Sequence, residues 1–405
     1  MLRLAEVSMG DIDSPFGDGW HNEIDLKAIG TQDEGKTAWE NGDQIIVTFT
    51  SPRFGTQYGT LTYDGTVWST DDSFSYLEDE TPTVSVIYAP CYEVLDGNMR
   101  LKDGMQLGMT EYISAACSIT DVTLNISFEG ATRNYSRLRI STLPGQTLTV
   151  TTTGFTPAGA TAVANDVYTL TADENGNIYL YGTFAVGATV SVKQGEVSLA
   201  DYTFTAEKHP EGAKPGINYA LDARPIIDGT LGGKTTATEE DINALVDQLK
   251  AYVDNGITTI IVTGSNPAMI DMGSWINTAI GEAIYRLSKE DSYNGKIDLI
   301  LPDVTEIVGQ EFDGAHALNS INLPKVTTVG DGAFYDCQYL EELTFGSVVT
   351  AINHKTRAEF HRVGEKVEGC NLVLNAEQVN AATEYQPNVE TKTWWNTEWK
   401  SITLK

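Results

Sequence analysis

Residues 301–345, LPDVTEIVGQEFDGAHALNSINLPKVTTVGDGAFYDCQYLEELTF, decide how the rest of the chain is read. Leu301-Pro302 returns as Leu323-Pro324, and the pattern recurs at Phe345-Gly346, each step 22 residues long. The interiors agree as well: Val304 with Val326, Thr305 with Thr327, Ile307 with Val329, Phe312 with Phe334, Leu318 with Leu340 and Ile321 with Leu343. A fixed period of this size marks a solenoid, in which each unit buries its apolar face only against its neighbours. Such a surface binds other molecules and encloses no reaction chamber.

Each unit closes on an apolar residue, two spacers, an apolar residue, one spacer and an apolar residue: Leu318-x-x-Ile321-x-Leu323, then Leu340-x-x-Leu343-x-Phe345. Ile257-x-x-Ile260-x-Val262 and Trp399-x-x-Ile402-x-Leu404 repeat the motif on either side, and Leu299-x-Leu301 and Leu372-x-Leu374 keep its last two positions. Alternation of this kind predicts short strands with one buried face. Six parallel strands are expected, ending at residues 262, 301, 323, 345, 374 and 404, with the longer gaps holding a helix or a loop. A helix is expected from Thr238, a cap followed by Glu239, Glu240 and Asp241, with Ile242, Leu245, Val246, Leu249 and Val253 at helical spacing. Asn255-Gly256 ends it, and a second helix is expected from about Trp275 to Leu287.

Leu301-Pro302-x-Val304-x-x-Ile307 with Phe312, and Leu323-Pro324-x-Val326-x-x-Val329-Gly330-x-x-Ala333-Phe334-x-x-Cys337-x-x-Leu340, resemble the BspA-type leucine-rich repeats of bacterial surface proteins. The resemblance implies an α/β leucine-rich repeat solenoid over residues 237–405, used for adhesion or protein recognition.

Residues 1 to about 222 read as all-β. Gln44–Phe49 and Thr83–Tyr88 alternate, and Gly59–Trp68 turns on Asp64-Gly65, the strongest short-range hairpin signal. Further strands are expected at Val122–Phe128, Ser136–Ile140, Gln146–Thr152 and Thr189–Val192. Val167–Leu170 and Ile178–Tyr181 flank Asn175-Gly176 as a second expected hairpin. Short strands at this spacing indicate antiparallel sandwiches, and the length suits two. The division is therefore 1–118 and 119–222 as two β-sandwich domains, 223–236 as a linker punctuated by glycine and proline, and 237–405 as the repeat domain. Trp39-x-x-Gly42-Asp43-x-Ile45, Tyr63-x-Gly65-x-x-Trp68 and Val86–Pro90 follow one another in order. With Tyr112-x-x-Ala115, Leu124-x-Ile126-x-Phe128 and Leu138-x-Ile140, they resemble the fimbrillin-like (Mfa-like) pilus proteins. In that family such sandwiches are pilin or adhesin modules, and some polymerise by lending a strand to a neighbour's open sheet edge.

With 26 Lys+Arg against 56 Asp+Glu, the net charge of −30 repels nucleic acid phosphates and anionic lipid. No stretch reaches the length of a transmembrane helix, and Met1–Glu6 lacks the apolar core of a signal peptide. An exported chain of this kind carries its targeting segment outside this numbering, and any membrane attachment is through that removed anchor. Four cysteines (Cys91, Cys117, Cys337, Cys370) make neither a metal spacing nor a disulfide framework. Cys337 takes the slot of Ala315 as a small core residue, while Cys91 and Cys117 leave two readings open, a pair or two buried thiols.

No catalytic residue, metal set or cofactor is expected. The five histidines (His21, His209, His316, His354, His361) stand apart from any Ser or Cys motif. Asp173–Asn177 has a superficial likeness to a calcium loop without its spacing, and a turn is the better reading. Gly232-Gly233-Lys234-Thr235 lacks the upstream glycine of a phosphate loop. Two ligand-binding surfaces are expected. Tyr385, Trp394 and Trp395 offer a stacking platform for a sugar ring or peptide, against the alternative that such large aromatics are buried. Asp298, Asn322 and Thr344 offer a column of exposed strand spacers. The expected function is a non-catalytic cell-surface adhesin or minor (tip) pilus component, held by a lipid anchor or the pilus. Its partner would be a host or microbial surface protein or glycan, with pilin subunits joined by strand addition. The alternatives are a glycan-binding protein using the terminal aromatics and a purely structural pilus subunit.

Overall fold

The computed structural model describes residues 3–8, 17–21, 35–36, 38–120, 123–129, 131–270, 276–354 and 358–405. β-Strands are the predominant secondary structure of these residues, with two α-helices among them. The chain divides into two compact units, Met1–Lys193 with Ser198–Ala223, and Gln194–Val197 with Arg224–Lys405.

In the first unit, a five-stranded antiparallel sheet orders Trp68–Ser69, Gly55–Tyr63, Gln44–Ser51, Thr83–Tyr88 and Ile113–Ser114. The Asp64-Gly65 turn forms because the Asp64 carboxylate accepts from the Thr66 and Val67 amides, both at 2.8 Å, while Gly65 takes φ +93°. Alternation sends Ile45, Val47, Phe49, Leu61 and Val86 to one face. They share a core with Leu124, Ile126 and Phe128, from the sheet that orders Arg3–Ser8, Thr123–Ser127 and Ala116–Thr120. Trp39 stands edge-on to Trp68, Tyr88 and Phe128 at 4.9–5.5 Å between ring centres.

Two expectations are corrected here. The boundary at 118/119 would have placed Thr123–Ser127 in the second sandwich, yet that strand pairs with Ala116–Thr120 and completes the first core. Val167–Thr171 and Asn177–Gln194 do not form a hairpin about Asn175-Gly176; each pairs with Thr147–Pro157, from opposite sides. The turn between them is still tight, since the Asp173 carboxylate accepts from the Asn175 and Asn177 amides. Thr189–Val192 belongs to the long strand Asn177–Gln194.

A seven-stranded sheet of this unit orders Val167–Thr171, Thr147–Pro157, Asn177–Gln194, Ser136–Ser141, Ile217–Asp222 and Gly17–His21, with Val197–Thr203 also on Asn177–Gln194. Its core holds Val150, Phe155, Tyr168, Leu180, Phe184, Val192 and Phe204. Ser136–Ser141 and Ile217–Asp222 run parallel, so the sheet is mixed where an antiparallel one was expected. A buried ionic knot anchors the segment before it: Arg133 Nε donates to Glu111 at 2.6 Å, Tyr135 Oη donates to the same carboxylate at 3.2 Å, and Arg133 Nη2 donates to the Lys36 carbonyl at 2.8 Å.

The second unit is built on a seven-stranded parallel sheet ordering Ile226–Asp228, Thr259–Thr263, Ile297–Ile300, Leu318–Leu323, Glu342–Phe345, Asn371–Leu374 and Ser401–Leu404. The first of these strands falls in the expected linker 223–236, a second boundary corrected. Only three residues long and bracketed by Pro225 and Gly229, it pairs Ile226–Asp228 with Ile261–Thr263. Register runs unbroken along the buried row Ile260, Leu299, Ile321, Leu343, Leu372 and Ile402. Leu323, Phe345, Leu374 and Leu404 form the next row, and Leu301, Leu323, Phe345 and Leu374 are all 0–1% exposed. Opposite it, Ile307, Val329 and Ile352 align in a short parallel sheet. Between the two, Phe312, Phe334 and Phe360 stack at 5.8 Å centre to centre. Each fully buried side chain of this size contributes about 1.5–3 kcal/mol.

Glu239–Asp254 is helical because Thr238 and Asp241 form a reciprocal capping box and Ile242, Leu245, Leu249 and Tyr252 share a buried face. The second helix, Ala279–Leu287, starts from Thr278, whose hydroxyl accepts from the Gly281 amide. Trp275, its expected start, lies outside the described residues. Arg286 ties the helices together, donating to Glu282 at 2.8 Å and to Glu239 at 2.9 Å.

Candidate functional site

The apolar column of the second unit must end somewhere, and its end is aromatic. Trp394 is 1% exposed and meets Phe345 and Phe360 at 5.7 and 5.6 Å between ring centres. Trp399, 3% exposed, packs on Phe360 at 5.4 Å. Burial of Trp394 removes it from the expected platform: its ring seals the column, and its indole N–H donates to the Tyr385 carbonyl at 2.9 Å. Gln378, fully buried, donates to the same carbonyl at 3.0 Å while its amide also bonds both backbone groups of Val349. The Tyr385 backbone is thus held by two side chains from the interior.

Trp395, the next residue, turns the other way. It and Asn396 occupy the two central positions of the hairpin joining Thr393–Trp394 to Thr397–Glu398, with φ +47° and +56°. Left-handed backbone suits asparagine but is strained for tryptophan, at roughly 1–3 kcal/mol. That geometry lays the half-buried Trp395 ring against the half-buried Tyr385 ring, 5.3 Å apart and 11° from parallel. Of the three aromatics expected to act together, these two form a flat stacked pair and the third lies beneath.

Trp395 also reaches a group that sequence spacing does not reveal. Its indole N–H donates to Glu359 Oε2 at 3.0 Å, and Glu359 Oε1 lies 3.0 Å from His354 Nδ1. Asp331 completes a set in which one donor atom from each of Asp331, His354 and Glu359 lies within 4.8 Å of the others. The reading from sequence expected no metal-ligating set. These three residues are scattered through two repeats with no motif spacing, and only the backbone stack brings them together. Glu359 is 2% exposed, whereas the His354 side chain is 58% exposed.

The second expected surface is rearranged by register. Asn322 and Thr344 do face each other across adjacent strands, but Asp298 pairs with Thr259 and Ser320 instead. A step of 22 residues from Asn322 falls on Ile300, so Asp298 belongs to a separate row with Ser320, Glu342, Asn371 and Ser401. That row is knitted by side-chain hydrogen bonds: Ser320 and Asn319 donate to Asp298 at 2.6 and 2.8 Å, Thr344 to Glu342 at 3.3 Å, and Ser401 to Asn371 at 2.8 Å. This row is therefore a line of small polar and acidic groups at strand spacing, while the Asn322–Thr344 row beside it also holds Ile300 and the buried Val373.

In the first unit, a cavity of about 630 Å³ is lined by Lys36, Tyr88, Glu111, Arg137, Tyr179 and Tyr181 among others. Arg137 Nε donates to Asn218 at 3.0 Å and its guanidinium lies over the Tyr179 ring at 5.0 Å. Burial, with Asp43 and Glu111 nearby, pushes the Tyr88 phenol well above its ordinary value. Lys36 in turn pairs with Asp43 at 2.6 Å and with Glu40 at 3.2 Å. Among the described residues, all four cysteines are free thiols, and burial pushes the Cys91 and Cys337 thiols up. No helix among the described residues is long and apolar enough to cross a membrane.

No protein-family model and no curated protein matches the chain. Among solved structures, a crystal structure described as that of a "putative cell adhesion protein" from Bacteroides fragilis aligns with 55% of this chain and 93% of its own. The identity is 9% and the TM-score 0.29, a likeness too slight to assign a fold or a function.

Proposed function

We propose that this chain is a non-catalytic cell-surface adhesin or minor pilus component, with fimbrillin-like β modules followed by a BspA-type leucine-rich repeat module that binds the partner. The division runs near residue 223, and export with attachment through a lipid anchor or a pilus accompanies this reading. The observation that supports it is the in-register row Asp298, Ser320, Glu342, Asn371 and Ser401 on the open face of the parallel sheet. A regular polar row on a stacked scaffold recognises a surface by complementarity and gives no enclosed place for reacting atoms. Its acidity favours a partner with basic or hydroxyl-rich groups and disfavours nucleic acid.

The test is binding of the full chain to immobilised matrix glycoproteins and to cells, comparing wild type with Asn322→Arg/Thr344→Arg. Asn322 is exposed and Thr344 half-buried, and neither belongs to the buried rows through Ile321 and Leu323. Binding should fall at least tenfold, while Val167→Arg, at an exposed edge-strand position of the first unit, should leave it unchanged. The reverse pattern would move the binding role to the β modules.

A second reading is favoured by the stacked Tyr385 and Trp395 rings. A flat, half-exposed aromatic pair suits the apolar face of a sugar, which would make the chain a surface glycan binder. Loss of oligosaccharide binding in Trp395→Ala, with the far-ultraviolet spectrum unchanged, supports that reading. Turnover of any glycan by the wild type overthrows the non-catalytic assignment. The terminal strands Val167–Thr171 and Ser401–Leu404 of the two large sheets are the places where a pilin strand would add. Failure to co-assemble with pilins would remove the pilus role and leave adhesion standing.

A further inference from the structure

We propose that Asp331, His354 and Glu359 form a Zn²⁺ site beside the Trp395 ring. The inference stands apart from the adhesin reading, since it concerns three side chains of the second unit and not what that unit binds.

The donor set carries the choice of ion. One imidazole with two carboxylates suits zinc, whereas calcium takes six to eight oxygens and rarely an imidazole. Ligand atoms at about 2.0–2.2 Å from a tetrahedral zinc stand roughly 3.4 Å apart. The three donor atoms already lie within 4.8 Å of one another, with His354 Nδ1 and Glu359 Oε1 at 3.0 Å, so closing the set needs side-chain motion alone. The backbone is fixed independently: the Gln310 amide donates to the Asp331 carbonyl and the Phe334 amide to the Glu359 carbonyl, both at 2.9 Å.

The second support is electrostatic. Glu359 is 2% exposed, and its carboxylate stands close to that of Asp331. A cation held between two carboxylates so placed is stabilised by both. A neutral imidazole supplies a lone pair to that cation and no charge of its own. The third support comes from comparison inside the molecule. Glu311 precedes Phe312 as Glu359 precedes Phe360 in the same ring column, and both are buried. The Glu311 carboxyl is served internally, by the Val308 amide at 3.0 Å and the Thr278 hydroxyl at 3.2 Å. At Glu359 one oxygen is oriented by the Trp395 indole N–H, as an outer partner orients a metal ligand, and the other is hydrogen-bonded to His354 Nδ1 at 3.0 Å, beside the Asp331 carboxylate, in a contact that a metal ion would replace. The exposed His354 side chain leaves the site reachable from solvent, with a coordination position for water.

The experiment uses the full chain, stripped with a chelator and titrated with zinc chloride by calorimetry and by tryptophan fluorescence. One zinc per chain should bind saturably, shift tryptophan emission through Trp395 and raise the unfolding temperature. His354→Ala and Asp331→Asn should each weaken binding at least tenfold, and Trp395→Phe, which keeps the ring and removes the N–H, by about tenfold. His361→Ala, whose ring instead packs 5.0 Å from Tyr335, should bind as wild type does. Because the His354 side chain is largely exposed, its substitution opens no core; should the alanine variant misfold in chelator, His354→Gln replaces it. Absence of saturable uptake, uptake undiminished in the His354 or Asp331 variants, or calcium binding that outcompetes zinc at the same residues overturns the proposal.

Discussion

Raising the pH from 4 to 8 should strip a proton from Glu311 while the chain remains folded, and the second unit should lose stability as it does so. Glu311 is 1% exposed, and burial pushes its carboxyl up to about 7 from an ordinary 4.5, against the partial relief of the Val308 amide and Thr278 hydroxyl. Between these values the folded chain holds a proton that the unfolded chain has released. The stabilisation is therefore complete below about pH 4.5 and disappears as pH rises through about 7. A gap of this size, at about 1.4 kcal/mol per pH unit, corresponds to about 3 kcal/mol, most of it lost between about pH 5 and pH 7. Glu311→Gln is neutral throughout, with an amide oxygen for the Val308 N–H and an amide N–H for the Thr278 hydroxyl. Urea unfolding of both proteins across this range gives the difference in stability, in which other titrating groups cancel. The wild type should fall relative to the variant by about 3 kcal/mol as pH rises. A flat difference, or a wild type that gains with pH, would refute the assignment of a neutral buried Glu311.

Three other perturbations have set outcomes. Phe334→Ala removes the middle ring of the Phe312–Phe334–Phe360 stack and should cost about 3–5 kcal/mol in urea unfolding; a loss below about 1 kcal/mol would mean the column is not the core. Arg133→Met leaves the buried Glu111 carboxylate without its ion-pair partner and should destabilise the first unit by about 3–5 kcal/mol, with Arg133→Met/Glu111→Leu losing less than the sum of the single variants. Thr238→Ala deletes half of the capping box of Glu239–Asp254 and should cost about 1 kcal/mol, visible as lower thermal stability with unchanged helix content at 25 °C.

What was legible beforehand was whatever depends on near neighbours or on a repeated interval. The capping box at Thr238 and Asp241, the Asp64-Gly65 turn and the small core slot of Cys337 each rest on residues within a few positions, or on one step of the period. Misreadings arose where pairing partners are distant. Val167–Thr171 and Asn177–Gln194 flank a tight turn, but each finds a better partner in Thr147–Pro157. Thr123–Ser127 completes the first core because its apolar face fits there, a fact no local pattern expresses. Three residues at Ile226–Asp228 are too few to show alternation and become a strand only beside Ile261–Thr263.

The chain alone determined the 22-residue interval, and with it which side chains are apolar enough to share a buried row; that information is carried by spacing and needs no coordinates. Tertiary structure alone decided which of two adjacent tryptophans is buried. Trp394 turns inward to close the ring column and Trp395 outward to stack on Tyr385, because Trp394 is the last paired residue of its strand and Trp395 the first left-handed residue of the turn. It alone also brought Asp331, His354 and Glu359 together, since successive turns of a stack set side by side residues that are far apart along the chain.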